Sequence, residues 1–190
     1  MKPPENSPPT DEHLIQRVSE GDLAAFESLV RRHQTSALRL AQRFLNDPHE
    51  AEDLAQEAFL QVFRQSHRYN PNAASFKTWF FTILANLCRN TIKKRRLDYY
   101  DELPEVVGGS NPDSAFELSR QRRALAEAIF RLPENQRLAF ILCHYEEFSY
   151  AEAARSLDLS IKAVESLLVR AKRSLRKQLS ELRVEPRKNL

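Results

Sequence analysis

The chain has 190 residues, in which 29 Lys and Arg nearly cancel 26 Asp and Glu to leave a formal net charge of +3. That length suits one ordinary domain or two small helical ones, and so small a net charge says less than where the charges sit. No segment approaches the roughly eighteen apolar residues of a membrane span, and the polar start MKPPENSPPTDEHL lacks the apolar core of a signal peptide.

Only three glycines, Gly21, Gly108 and Gly109, interrupt a chain rich in Ala, Leu, Arg, Glu and Gln. Such a composition favours helices broken at few places, and β-branched alternation is hard to find, so the expected fold is all-α. Residues 1–10 form a tail in which Pro3, Pro4, Pro8 and Pro9 deny helix and strand pairing alike. Thr10 or Asp11 can cap a first helix. Asp22 can cap a second that begins Leu23, Ala24, Ala25, Phe26 and carries Leu29 and Val30.

Asp47 and Pro48 supply a cap and a helix start for HEAEDLAQEAFLQVFRQ. Ala51, Leu54, Ala55, Ala58, Phe59 and Val62 form its apolar stripe, so Leu54 and Phe59 are read as core. The segment Asp47–Glu57 holds Asp47, Glu50, Glu52, Asp53 and Glu57 without a Lys or Arg. An acidic face of this kind fits a protein partner or an ordinary solvated helix surface.

After a break around Tyr69, Asn70 and Pro71, residues 76–96 read as another helical region. Its first half carries Phe76, Trp79, Phe80, Phe81, Ile83 and Leu84, more than one helix face can bury, so some aromatics are expected to point away from the core. Its second half turns basic, with Arg89, Lys93, Lys94, Arg95 and Arg96 and no acid. Rings that stack on extruded bases beside cations that hold phosphates suit single-stranded nucleic acid. The same residues also suit an aromatic core with a soluble helix end.

From Leu97 to Ser119 the pattern collapses. Pro104, Gly108, Gly109 and Pro112 break helices, and Asp98, Asp101, Glu102, Glu105, Asp113 and Glu117 make the stretch acidic. It reads as a flexible linker over 97–119, dividing a domain at 11–96 from one at 120–182, with a C-terminal tail at 183–190. Two cysteines, Cys88 and Cys143, lie in helical apolar surroundings and read as buried thiols, consistent with a reducing compartment.

Helix resumes over 120–130, turns at Leu132 and Pro133, and continues over 134–145. Ser149 is the expected N-cap of the next helix, with Glu152 completing a capping box. Ala153, Ala154 and Leu157 face the core, and Asp158, Leu159 and Ser160 make a turn. Ser160 then caps a helix in which Ile161, Val164, Leu168 and Ala171 are spaced to bury, while Lys162, Glu165, Ser166, Val169, Arg170 and Arg173 face away. Two short helices, a tight turn and a basic second helix are what a helix-turn-helix needs to read a DNA major groove.

Enzyme chemistry finds little support. His13, His33, His49, His67 and His144 form no compact metal motif, there is no glycine-rich phosphate loop, and the serines lack a nucleophile turn. No catalytic residue, cofactor or metal is expected.

Ala51–Phe63, followed by FKTWFFTILANLCRNTIKKRR, resembles region 2 of bacterial sigma factors of the sigma-70 superfamily, and Leu132–Arg176 resembles region 4. The two motifs in this order, with a short variable linker and no larger central region, are similar to the small extracytoplasmic-function (ECF) type. The resemblance implies a chain that binds core RNA polymerase, recognises promoter −10 and −35 elements and promotes DNA melting and transcription initiation.

Residue by residue, the resemblance implies core polymerase binding by Asp53, Gln56 and Glu57. Trp79 and Phe80 would support strand separation at the −10 element, with Asn86, Arg89 and Asn90 as donors and Lys93, Lys94, Arg95 and Arg96 on phosphates. Lys162, Glu165, Ser166, Val169 and Arg170 would meet the −35 major groove, with Lys172, Arg173, Arg176 and Lys177 nearer phosphates. Glu165 departs from the basic residue relatives often place there, leaving the preferred promoter open. The resemblance also implies a cytoplasmic protein without membrane insertion, held near the inner membrane by an anti-sigma factor. The alternative is a helix-turn-helix regulator that acts beside a separate sigma factor.

Overall fold

A computed structural model describes the backbone of residues 8–98 and 116–184, with side chains over 8–95 and 122–180. The order is α1 (Asp11–Ser19), α2 (Leu23–Leu45), α3 (Pro48–Gln65), a 3-10 turn (Ser66–Arg68), α4 (Phe76–Asp98), α5 (Phe116–Phe130), α6 (Glu134–His144), α7 (Tyr150–Leu157) and α8 (Ile161–Val184). No strand occurs among the described residues.

The helix starts follow local side-chain chemistry. Thr10 accepts the His13 N–H, Asp22 the Ala25 N–H and Asp47 the Glu50 N–H, each satisfying a donor that the first helical turn leaves unpaired. Pro48 occupies the first turn of α3, where its missing N–H costs nothing. At the start of α4, Ser75 Oγ accepts the Thr78 N–H at 3.2 Å. There the Glu12 carboxylate also reaches across from α1 to accept the Phe76 N–H at 3.1 Å. Between α1 and α2, Gly21 takes φ +95, a conformation side-chain-bearing residues rarely adopt.

Helices α2, α3 and α4 bury one another, with α1 across their end. Ala51, Ala55 and Ala58 on one face of α3 let α2 approach closely, and Leu29, Leu40, Phe44, Leu54 and Val62 fill the space between. Each such large side chain, fully buried, contributes on the order of 2 kcal/mol. In the C-terminal half, α5 to α8 enclose Ile129, Leu138, Ile141, Leu142, Leu157, Val164 and Leu168. Cys88 is fully buried and Cys143 half-buried; burial pushes the Cys143 thiol up to about 11 and that of Cys88 further, so both stay protonated.

Three expectations need correction. The aromatics of α4 are not left facing outward: Phe76, Phe80 and Phe81 are fully buried and Trp79 is half-buried. The helix has two buried sides, one against α2 and α3 and the other against α7, where Phe148 packs on Phe81 with ring centroids 5.1 Å apart. Ile161 is 49% exposed, because it opens α8 beyond the reach of the core that receives Val164 and Leu168. The helices also extend into the segment read as linker, α4 to Asp98 and α5 from Phe116; residues 99–115 lie outside the described residues, as do most of both tails.

Candidate functional site

The helix-turn-helix is held by three local devices. Ser149 and Glu152 form a reciprocal capping box at the start of α7. These hydrogen bonds hold the Glu152 carboxyl below the usual carboxylate range. Asp158 ends α7 in the left-handed region at φ 54, a conformation a short polar side chain tolerates, and Ser160 Oγ accepts the Ala163 N–H at 3.2 Å to start α8.

From there the face of α8 is set. Val164, Leu168, Ala171 and Leu175 are buried, and Lys162, Glu165, Ser166, Val169, Arg170, Lys172, Arg173, Arg176 and Lys177 are all exposed. Every sequence-proposed −35 residue therefore shares one solvent-facing surface. Val169, 59% exposed amid polar neighbours, offers an apolar surface of the kind that meets a thymine methyl. Among the described residues Glu165 forms no ion pair, so it does not bridge to an arginine here.

The sequence-proposed residues of α4 separate into three kinds. Asn86, Asn90, Lys93 and Lys94 are exposed and lie along the outer side of the helix. Trp79 is half-buried, its ring 5.4 Å from Tyr69 and 6.1 Å from Phe76. Phe80 is a correction: fully buried, it packs 4.9 Å from Phe59 and 5.9 Å from Phe76, so it is a core residue and not a DNA contact.

Two cations are already engaged. Arg89 donates to the Leu157 carbonyl at 3.0 Å and to Asn86 Oδ1 at 3.3 Å. Arg95 donates to both oxygens of Glu50, at 2.6 and 3.2 Å, and to the Leu45 carbonyl at 3.4 Å. Arg95 is thus a brace between α4 and α3, in place of the free phosphate contact expected from its sequence. The side chain of Arg96 lies outside the described residues.

On α3, Asp53 and Gln56 are exposed and Glu57 is half-buried, accepting from Gln61 at 3.3 Å and lying 3.7 Å from Arg64. Glu50, Asp53 and Glu57 form one wall of an open groove of about 400 Å³; Leu87, Thr91 and Lys94 of α4 form the other. Sequence reasoning missed Leu60 and Phe63, which are 46% and 39% exposed beside Gln56. Phe63 meets Phe26 of α2 edge-on at 5.2 Å, and Leu23 lies exposed one turn before it. Both α3 residues fall off the Ala51–Val62 stripe, which is the signal that marks them as surface. Exposed apolar groups bordered by charged side chains are of the kind that protein-docking faces use.

Comparison with known proteins places both halves of the chain in one family. Residues 29–97 match the family model Sigma-70 region 2, and residues 122–175 match Sigma-70, region 4. The chain is 34% identical over 183 residues to the ECF RNA polymerase sigma factor SigE of Mycolicibacterium smegmatis, covering 91% of this chain and 70% of that one. It is 30% identical over 181 residues to the ECF RNA polymerase sigma factor SigW of Bacillus subtilis, covering 88% and 96%. Its fold is similar to CnrH in complex with the cytosolic domain of CnrY, with TM-score 0.70, 26% identity and coverage of 90% and 97%. The sigma factor RpoE in complex with the anti-sigma factor NepR from Bartonella quintana shares the fold at TM-score 0.69 and 24% identity, over 85% and 98% of the two chains. Among the described residues no helix is long and apolar enough to cross a membrane.

Proposed function

Since this chain belongs to the extracytoplasmic-function sigma factors of the sigma-70 family, we propose that its exposed α8 face reads the −35 element, its α4 face the −10 element, and its α3 face core RNA polymerase. The chain is an RNA polymerase sigma factor, acting in promoter recognition and transcription initiation with core polymerase and promoter DNA as its partners. The observation that carries the residue assignments is the α8 surface, where every proposed −35 contact is solvent-facing while the apolar positions are spent on the core.

In the −35 major groove, Lys162, Glu165, Ser166, Val169 and Arg170 meet base edges, and Lys172, Arg173, Arg176 and Lys177 neutralise phosphates. At the −10 element, Asn86 and Asn90 donate to an unpaired base or nearby backbone, Lys93 and Lys94 hold phosphates, and Trp79 supports the opened strand from the edge of the aromatic core. Asp53, Gln56 and Glu57, with Leu60 and Phe63 beside them, dock on polymerase by an apolar contact bordered by charge. The N-terminal domain comprises α1 to α4 and the C-terminal domain α5 to α8, and binding to polymerase fixes the spacing between their two DNA-reading helices.

Sigma factors as a class are initiation factors that carry out no covalent step, and this chain is read the same way, as a positioning protein with no catalytic residue. Its partner when silent is an anti-sigma factor, and it works in the cytoplasm. Support comes from the neighbours, of which CnrH is bound to a cytosolic domain. Matching of residues 29–97 to region 2 disfavours a helix-turn-helix regulator that borrows a separate sigma factor.

The experiment is in vitro transcription with core polymerase lacking sigma and a fragmented genomic library, followed by sequencing of RNA starts. Discrete starts sharing −35 and −10 elements are expected. Absence of any start, with folded protein and a compatible core enzyme, would sink the reading.

A further inference from the structure

Residues 69–75 join the 3-10 turn to α4, and this connection is fastened both from within and from the opposite end of the domain. Inside it, the Ala73 N–H donates to the Asn70 carbonyl at 3.1 Å and the Asn72 N–H to Asn70 Oδ1 at 3.0 Å. The Tyr69 hydroxyl donates forward to the Ala74 carbonyl at 3.0 Å, closing the turn across its base. Burial first, and then the Glu12 and Asp11 charges, push the Tyr69 phenol up to about 12, so it keeps the proton it donates.

The tie from outside is Glu12 of α1. Phe76 is fully buried, so its N–H, which the first turn of α4 leaves without an intrahelical acceptor, cannot be answered by bulk solvent. Glu12 Oε1 accepts it at 3.1 Å from 64 positions away, where the helix dipole also favours a carboxylate. The neighbouring Asp11 faces a different partner, because successive helical residues point about 100° apart. It meets Arg32 and His33 of α2 at 2.7 and 2.6 Å, and the His33 ring lies 5.2 Å from that of Phe76. One carboxylate thus clamps α1 to α2 while the next holds the start of α4.

What these ties fix is Trp79. Its half-buried ring packs on Tyr69 at 5.4 Å and on Phe76 at 6.1 Å. Both neighbours are tied residues, Tyr69 through its hydroxyl and Phe76 through its N–H. A ring that supports an opened strand works best when it is in place before the strand arrives, since ordering it afterwards is a cost that opening must bear.

We propose that Glu12 is a positioning residue for promoter opening: it touches no DNA, and by accepting the Phe76 N–H it holds the 69–75 turn and Trp79 in the form that receives the opened −10 strand. Removing its carboxylate strands a buried donor, which the chain can satisfy only by unwinding the start of α4 toward solvent. The acceptor matters here more than the charge, so an amide oxygen at the same place serves as well. The inference rests on the assignment of α4 to the −10 element.

The test uses the full chain with core polymerase and a promoter returned by the initiation assay, carrying a fluorescent base analogue in the non-template −10 strand. Glu12→Ala should slow opening about tenfold, the factor set by one lost hydrogen bond to a charged group when the turn must be re-ordered at each event. Its affinity for core enzyme, and that of its holoenzyme for a duplex holding the −35 element alone, should stay at wild-type values, which a general loosening of the fold would not allow. Glu12→Gln, which keeps an acceptor oxygen, should open close to the wild-type rate. Tyr69→Phe keeps the ring and removes the hydroxyl tie while leaving α1 untouched, so it should also slow opening, and it carries the test if Glu12→Ala does not fold. Wild-type opening in Glu12→Ala would overturn the proposal, as would a glutamine variant as slow as the alanine one, or losses of core and −35 affinity as large as the loss in opening. If Glu12→Ala does not fold, wild-type opening in Tyr69→Phe would overturn it. No opening by the wild-type chain would instead remove the −10 assignment, and the inference with it.

Discussion

Arg95 of α4 closes on Glu50 of α3 through Nη2 to Oε2 at 2.6 Å and Nε to Oε1 at 3.2 Å, tying the basic end of one helix to the first turn of the other. A guanidinium held by two carboxylate oxygens and a backbone carbonyl has little left to offer a phosphate. Its neighbours Lys93 and Lys94 are exposed. Lys93→Ala should therefore reduce the salt dependence of holoenzyme binding to promoter DNA by close to one phosphate contact, about 0.7–0.9 in the log–log slope. Arg95→Ala should leave the slope unchanged and lower thermal stability instead. Salt titrations of both variants separate a phosphate contact from a brace.

Arg137 is buried between Phe44 and Phe130, its guanidinium carbon 4.9 and 4.6 Å from their ring centroids. It donates to the Phe44 and Leu132 carbonyls. Burial pushes its pKa down to about 10, which leaves it charged at neutral pH. Arg137→Ala strands two buried carbonyls and opens a gap between the rings, and should cost about 3 kcal/mol. Arg137→Met keeps the bulk and removes the desolvated charge, so its cost should be smaller. Urea unfolding of the two variants orders them; an alanine variant no less stable than the methionine variant would refute the argument.

Much of this architecture was legible from residue chemistry. Thr10, Asp22, Asp47, Ser149 and Ser160 each cap the helix that follows, because capping is a local interaction between neighbours in sequence. The stripe Ala51, Leu54, Ala55, Ala58, Phe59, Val62 is buried throughout, because period alone decides which side of one helix faces in. What period cannot report is a second partner. The aromatics of α4 exceed one face because α7 covers another, and that contact joins residues some seventy positions apart, as in the 69 between Lys77 and Glu146. Arg89 and Arg95 likewise look identical to phosphate contacts in sequence, since their acceptors are a main-chain carbonyl and a distant carboxylate. Ile161 was misplaced because its spacing fits the stripe but its position precedes the core.

The Asp11 carboxylate is held below the ordinary range, first by the hydrogen bond with His33 and then by Arg32, at 2.6 and 2.7 Å. A carboxyl whose folded pKa is depressed stabilises the fold above its unfolded value, near 3.8, and that contribution is lost as pH falls through the folded value. Asp11→Asn should therefore be less stable than wild type by about 1 kcal/mol at neutral pH, with the gap narrowing below about pH 4. Thermal unfolding of both chains across pH 3–7 reads the convergence. A gap of constant size would show that the carboxylate charge is not what holds α1 against α2.

Leu60 and Phe63 give the surface proposed to face polymerase a test that separates binding from folding. Leu60 is 46% exposed, so truncating it removes little buried area and should change stability by no more than about 0.5 kcal/mol. If that surface is desolvated against core polymerase, Leu60→Ala should weaken the complex by about tenfold, the usual size for an apolar anchor near a charged rim. Asp53→Ala, at an exposed acidic site on the same helix, should act more on the association rate and more at low salt. Phe63→Ala should show both effects, since its ring also meets Phe26 at 5.2 Å within the domain. Association and dissociation rates of the three variants with core enzyme, set beside their unfolding midpoints, distinguish a docking face from scattered surface hydrophobics. Wild-type affinity in Leu60→Ala would place the polymerase contact elsewhere on α3.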